Sequence, residues 1–253
     1  MLSVVYWEAL PHPRLQPWVE AYAFSTEEDD TVRQQPIRIA PDGSSDLLVS
    51  VSATSARADL FGTKTRALLV RSTGPLENLA LRFRPGAAAR FFRVPASELV
   101  DDVADLSALW GRSGGALLRE LGSTEGLSAR MARLEAALLA RLDDPTGDDR
   151  EGRLVEAATR GLQVSGGRSR IDALCVSLGV GERRLERLFR RRVGIPPKLL
   201  ARILRFQRAF TELQDGRPAC TVALEAGYSD QPHLLRDFRR FAGISPGALG
   251  LGG

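Results

Sequence analysis

The sequence predicts an α+β chain: an N-terminal small β-barrel or sandwich with flanking helices, then an all-α domain carrying two helix-turn-helix units. Three observations predict this. Short β-type runs divided by turn formers fill the first hundred residues, and apolar residues recur at helical spacing from Gly86 onward. Near the C-terminus two similar segments follow one another about 49 residues apart.

In the N-terminal part, Leu15 to Phe24 reads as a helix. Arg38-Ile39-Ala40 leads into Pro41-Asp42-Gly43-Ser44, where proline, an Asx side chain and glycine favour a tight turn. Strand-like runs follow at Asp46–Val51, Ala58–Phe61, Ala67–Val70 and Leu79–Phe83. Many short strands suit a small barrel or sandwich. Arg82, Arg84 and Trp7 are candidates to line a small-molecule effector pocket; the competing reading of the arginines is a strand end with a turn at Pro85-Gly86. Trp7, Trp18 and Tyr22 fit either pocket walls or an aromatic core.

Leu127, Met131, Leu134, Leu138 and Leu142 recur at spacings of three and four, which predicts an amphipathic helix. Its stripe suits packing on its own domain or a homodimer seam. Asp143 to Asp149 breaks every period with proline, glycine and four aspartates, so the sequence is divided into residues 1–142, a linker at 143–149 and a domain at 150–253. Charge changes sign at the same place. Residues 150–253 hold 19 Lys+Arg against 10 Asp+Glu, leaving 16 of the 35 basic and 21 of the 31 acidic residues to the first 149. A basic part joined to an acidic one points to polyanion binding by one part only.

The two similar segments carry the functional reading. Leu178 to Pro197 and Ala226 to Pro246 each hold a glycine, a short turn and a new helix, closed by Gly194-Ile195-Pro196-Pro197 or Gly243-Ile244-Ser245-Pro246. Gly179 and Gly227 can take the left-handed conformation that ends the first helix of each pair. Ser229 or Asp230 can cap the second reading helix. Leu185 with Phe189, and Leu234 with Phe238, stand four apart and anchor one face of each helix. The opposite faces present Arg183, Glu186, Arg187 and Arg190 in the first unit, and Gln231, His233, Arg236 and Arg239 in the second. A helix carrying such groups in its first turns can enter a major groove about 12 Å wide and bond to base edges. The plainer alternative for each arginine is a phosphate contact or a solvated charge, the expected role of Arg190, Arg191, Arg192, Arg239 and Arg240. Between the units, Pro197 to Leu213 reads as one helix with proline at its first position. A helix of about 17 residues spans roughly 25 Å and, with its turns, could hold two reading heads about one turn of DNA apart.

Other functions are set aside on motif grounds. No run approaches the length of a membrane span, and the start lacks the basic flank and apolar core of a signal peptide, so a cytoplasmic protein with no membrane partner is expected. Phosphate-binding and nucleophile-elbow motifs are missing. The first 149 residues hold no cysteine and only His12, which disfavours a repair enzyme needing a zinc-bound thiolate; no catalysis, metal or cofactor is expected. Cys175 and Cys220 lie in helical patterns and read as buried small residues, with a bridge left open.

The residues Leu185-x-Arg187-x-Phe189, Gly194 and Pro197, together with Gly227-Tyr228-Ser229-Asp230-Gln231, His233, Arg236-Asp237-Phe238 and Gly243-Ile244-Ser245-Pro246, resemble the AraC/XylS family of bacterial transcription activators over about residues 171–248. The resemblance implies two helix-turn-helix subdomains on a linker helix, binding double-stranded DNA at asymmetric sites, often as dimers. Activators of this kind work with RNA polymerase. Carried over position by position, it makes Arg183, Glu186 and Arg187, then Gln231, His233 and Arg236, the base-facing residues. Three departures stand out: Gly181 where a Ser or Thr cap is usual, Pro232 in the first turn of the second reading helix, and no basic tail after Leu249. Pro41-Asp42-Gly43, Asp46-Leu47, Arg82 to Gly86 and Asp105 to Gly111 resemble a sensor-type domain attached to some of these regulators.

Overall fold

The fold was analysed in a computed structural model that describes residues 7–27, 37–52, 55–70, 76–143 and 150–249. The N-terminal strands are β1 (Trp7–Ala9), β2 (Val19–Glu27), β3 (Ile37–Ile39), β4 (Ser45–Val51), β5 (Ala56–Phe61), β6 (Leu68–Val70), β7 (Leu76–Phe83) and β8 (Val103–Asp105). Six of them form one antiparallel sheet in the order β1-β2-β7-β4-β5-β8, and β3 pairs with β6 in a separate ribbon. The alternation read from the sequence sets the register. Leu47, Val49 and Val51 of β4 and Leu79, Leu81 and Phe83 of β7 point inward and are buried. Asp42 accepts the Ser44 amide at 2.9 Å and Gly43 sits at φ +85°, giving the turn into β4 that Pro-Asp-Gly predicts.

The sheet is open, not the expected barrel or sandwich: β1 and β8 are its two unjoined edges. Helices do the work that closure would have done. Asp105 caps α1 (Leu106–Trp110) by accepting the Ser107 and Ala108 amides, and α2 (Arg112–Ser123) and α3 (Leu127–Leu142) follow. Leu117 and Leu121 of α2 and Leu134 and Leu138 of α3 join the inner sheet face in one core. Each such side chain removed from water contributes about 1.5–3 kcal/mol. A sheet with one face covered in this way has no need to curl shut. Leu127, Met131 and Leu142, half-buried, pack on the same core, which is the first of the two roles expected of the apolar stripe of α3.

A second expectation fails at Leu15 to Phe24, which is one turn followed by β2, not a helix. The Val19 amide reaches the Leu15 carbonyl at 2.8 Å, closing a single helical turn. Beyond it Tyr22 and Phe24 are buried two apart, the period of a strand. Tyr22 is core, as is most of Trp18.

Most of the expected linker, 144–149, lies outside the described residues. After it come α4 (Arg150–Val164), α5 (Ile171–Leu178), α6 (Glu182–Arg192), α7 (Pro197–Gln214), α8 (Ala219–Glu225) and α9 (Gln231–Phe241). They share one core that runs from Val155 to Ala242. Phe206 of α7 meets Phe238 and Phe241 of α9 with ring centroids 5.0 and 5.4 Å apart, tying the connector to the last helix. Both cysteines are free thiols; Cys175 is buried as expected, whereas Cys220, in the first turn of α8, is exposed.

Candidate nucleic-acid interface

In the first unit α5 stops at Gly179, which takes the left-handed conformation at φ +61° and ψ 35°. A Cβ there would touch nothing within 4 Å, so the backbone angle alone calls for glycine. Val180 donates to the Cys175 carbonyl at 3.0 Å, closing the turn, and α6 starts two residues later. Gly181 stands at its N-cap with extended backbone and no side-chain cap. In the second unit Gly227, at φ +84°, follows α8, and Tyr228 donates to the Ala223 carbonyl at 2.8 Å. Asp230, not Ser229, caps α9: its carboxylate accepts the His233 amide at 2.6 Å. That bond, opposed by some burial and helped by Ser229, holds the Asp230 carboxyl below the usual aspartate value. Pro232 sits in the first turn, where its missing donor costs little.

Leu185, Leu188 and Phe189 of α6 and Leu234, Phe238 and Phe241 of α9 are buried, which fixes the rotation of both helices. Arg183, Arg187, Arg190, Gln231, Arg236 and Arg239 are then exposed, as their spacing predicts. Arg183, Arg187, Arg236 and Arg239 form no hydrogen bond or ion pair with another described residue. Glu186 is half-buried and pairs with Arg190 at 3.0 Å one turn on. His233 is also half-buried: Nδ1 lies 3.2 Å from the Ser229 hydroxyl and the ring meets Tyr228 edge-on. These contacts brace the turn.

The two reading helices border a common depression. A cleft of about 980 Å³ is lined by Glu182 and Glu186 of α6, His233 and Arg240 of α9, Lys198, Arg202 and Arg205 of α7, and the 167–172 loop. Of the expected base-facing residues, Glu186 and His233 line this cleft, whereas Arg183, Arg187, Gln231 and Arg236 are not part of its lining.

Sequence reading missed Asp237, whose side chain is only 1% exposed and pairs with Arg202 of α7 at 2.6 Å. Its signal was available: Asp237 stands three after Leu234, on the buried side of α9, and a buried carboxylate demands a partner. Arg205 lies over the Tyr228 ring and donates to the Gly227 carbonyl at 3.2 Å. These contacts fasten α9 and its turn to the connector.

The effector candidates Arg82 and Arg84 lie elsewhere, in the N-terminal part. Arg82 lies on the outer face of β7 between Asp46, at 3.1 Å, and Asp42, at 3.5 Å, and these carboxylates hold its guanidinium more firmly charged in spite of some burial. The Arg84 Nε donates to the Gln16 carbonyl at 3.0 Å. Trp7 is in β1, but its side chain lies outside the described residues.

Paired helix-turn-helix units with free arginines along both second helices define the class: this is a DNA-binding transcription regulator. Residues 174–250 match the family described as "Helix-turn-helix domain" and residues 8–105 the family described as "Domain of unknown function (DUF6597)". The C-terminal part therefore carries a helix-turn-helix domain of the AraC type, joined to an N-terminal domain of the second family. No curated protein matches its sequence. Among solved structures it is similar to ToxT from Vibrio cholerae at 10% identity, covering 91% of this chain and 99% of that one with a TM-score of 0.45. A ToxT structure with an unsaturated fatty acid bound is 10% identical, with 92% and 97% covered and a TM-score of 0.44. Apo ToxT carrying a substitution is 12% identical, with 89% and 96% covered and a TM-score of 0.43. No helix among the described residues is long and apolar enough to cross a membrane.

Proposed function

We propose that the chain is a ligand-responsive transcription factor that reads two adjacent major-groove segments of a promoter, one with α6 and the other with α9. The observation that carries this is the pairing of unengaged arginines on both helices with a cleft that both helices border. Arg183, Glu186 and Arg187 read bases in one segment, and Gln231, His233 and Arg236 in the other. Glu186 must leave Arg190 to accept from a cytosine amino group. Arg190, Arg239 and their basic neighbours hold phosphates, which raises affinity and salt dependence without adding sequence information. The work is divided between residues 1–142, which sense or dimerise, and 150–253, which bind DNA, across 143–149. The reading places the protein in the cytoplasm, with a second copy and RNA polymerase as its candidate protein partners.

Selection of bound sequences from random DNA tests the reading. Arg187→Ala and Arg236→Ala should each relax preference in a different segment of the recovered site, at about 1–3 kcal/mol. Equal weakening on every sequence would reduce both to phosphate contacts.

A second reading has a specific observation behind it. Arg82 and Arg84, the candidate anchors for an effector, are already engaged by Asp42, Asp46 and Gln16. In that reading residues 1–142 are an interaction module without a small-molecule ligand. Thermal unfolding of the full chain against metabolite mixtures separates the two, because a ligand that binds the folded state raises Tm.

A further inference from the structure

Among the described residues the N-terminal domain touches the helix-turn-helix pair at several places, and two of them are the same place in the repeat. Val193 ends α6 and Ala242 ends α9; they are 49 residues apart, the repeat offset. The last carbonyls of a helix have no partner within it. Here each receives a donor from the N-terminal domain. The Thr63 hydroxyl, 2% exposed, donates to the Val193 carbonyl at 2.6 Å, and the Arg38 Nη1 donates to the Ala242 carbonyl at 2.7 Å. A cation at a helix C-terminus also suits the helix dipole. The glycine that follows each carbonyl faces the same domain: a Cβ on Gly194 would lie 2.8 Å from the Ala96 carbonyl oxygen, and one on Gly243 3.3 Å from the Arg38 Nη1. Between these two points the Pro41–Gly43 turn rests on the connector. Gln207 of α7 donates to the Pro41 carbonyl at 2.6 Å, and Leu200, two helical turns earlier, packs against Gly43.

We propose that Thr63 and Arg38 are positioning residues for DNA recognition: by holding the ends of α6 and α9, with Gln207 between them, the N-terminal domain fixes the distance and phase between the two reading helices. The inference rests on the two-segment reading above. Two heads on one protein bind a duplex together only when their separation matches that of the two segments, and stiffness in the link sharpens that match. One base pair added between the segments turns the second by about a tenth of a helical turn and moves it by about 3.4 Å. A clamped pair of helices cannot follow that change, while a loosened pair can. Neither clamp residue belongs to α6 or α9, so their loss leaves every reading side chain in place.

The test uses the full chain and the site recovered by selection, together with versions carrying one base pair more or fewer between the two protected segments. The wild type should bind the altered sites at least about tenfold more weakly than the selected one. Thr63→Val with Arg38→Leu should bind the selected site a few-fold more weakly and lose most of the discrimination between spacings. Thr63→Ser, which keeps the hydroxyl donor, should restore it. Arg38→Leu alone alters an exposed side chain and should show part of the effect even if the buried Thr63→Val site tolerates no change. Undiminished spacing discrimination in the variants, or equal weakening on all sites including unrelated DNA, would overturn the clamp. If the wild type recovers only one contacted segment, the two-segment reading itself falls, and the clamp falls with it.

Discussion

Removing Arg202 should harm the protein more than removing Asp237, although the two share one ion pair. Asp237 is 1% exposed and its second carboxylate oxygen has no hydrogen-bond partner, whereas Arg202 keeps 31% of its side chain in water. Arg202→Leu therefore strands a charge in the interior, and its cost should approach, from below, that of breaking a fully buried pair, about 3–5 kcal/mol. Asp237→Asn leaves a guanidinium that can swing outward, so its cost should fall nearer 1–2 kcal/mol, the range of a lost hydrogen bond to a charged group. Arg202→Leu with Asp237→Leu removes both charges and should be more stable than Arg202→Leu alone. Denaturant unfolding followed by far-UV circular dichroism gives these differences as midpoints and slopes. All three tryptophans, Trp7, Trp18 and Trp110, belong to the N-terminal part, so their fluorescence reports separately on the sheet. Equal losses from the two single substitutions, or a double variant no better than Arg202→Leu, would refute the assignment of Asp237 as the buried and dependent partner.

Three further outcomes are expected. Gly194→Ala should cost about 2 kcal/mol or more, because φ is +91° and the new methyl would meet the Ala96 carbonyl oxygen; Gly179→Ala, with open space around it, should cost only the backbone part, about 1 kcal/mol, and both are read by denaturant unfolding. The lowered Asp230 carboxyl favours the folded state when ionised, so its contribution is present above the ordinary aspartate value and lost as pH falls through the depressed one. The protection of the His233 amide, its exchange rate relative to the intrinsic rate at each pH, should fall on that acid limb and stay low throughout in Asp230→Ala. A thiol reagent should modify the exposed Cys220 at once and Cys175 only in denaturant, since burial first, and then Glu182 and Asp172, raise the Cys175 thiol above its usual value; rapid labelling of both would contradict the packing of α5.

The C-terminal units were legible because their code is local. Gly179 and Gly227 mark turns by backbone angle, and Leu185 with Phe189, or Leu234 with Phe238, mark a face by spacing alone. Pro197 placed the start of α7 correctly for the same reason. The N-terminal architecture was less legible because its errors are tertiary. Leu15, Val19 and Tyr22 have helical spacing, yet the chain passes from one closed turn into a strand that buries Tyr22 and Phe24 on the same side. Strand spacing could not tell an open sheet roofed by α2 and α3 from a closed barrel, since both bury alternate residues. Contacts between Thr63 and Val193, or Arg38 and Ala242, join residues more than a hundred positions apart and leave no periodic trace.

The tight seat of Gly194 under the Ala96 carbonyl bears on how such proteins can be recombined. Sequence suggests a cassette that could be cut at the acidic stretch and joined to another sensing half. The surfaces are tailored to each other: the incoming half must offer a hydroxyl where Thr63 stands and leave room for a bare backbone at Gly194. A graft that ignores this fit would lose the Thr63 bond to Val193 and press on the backbone at Gly194.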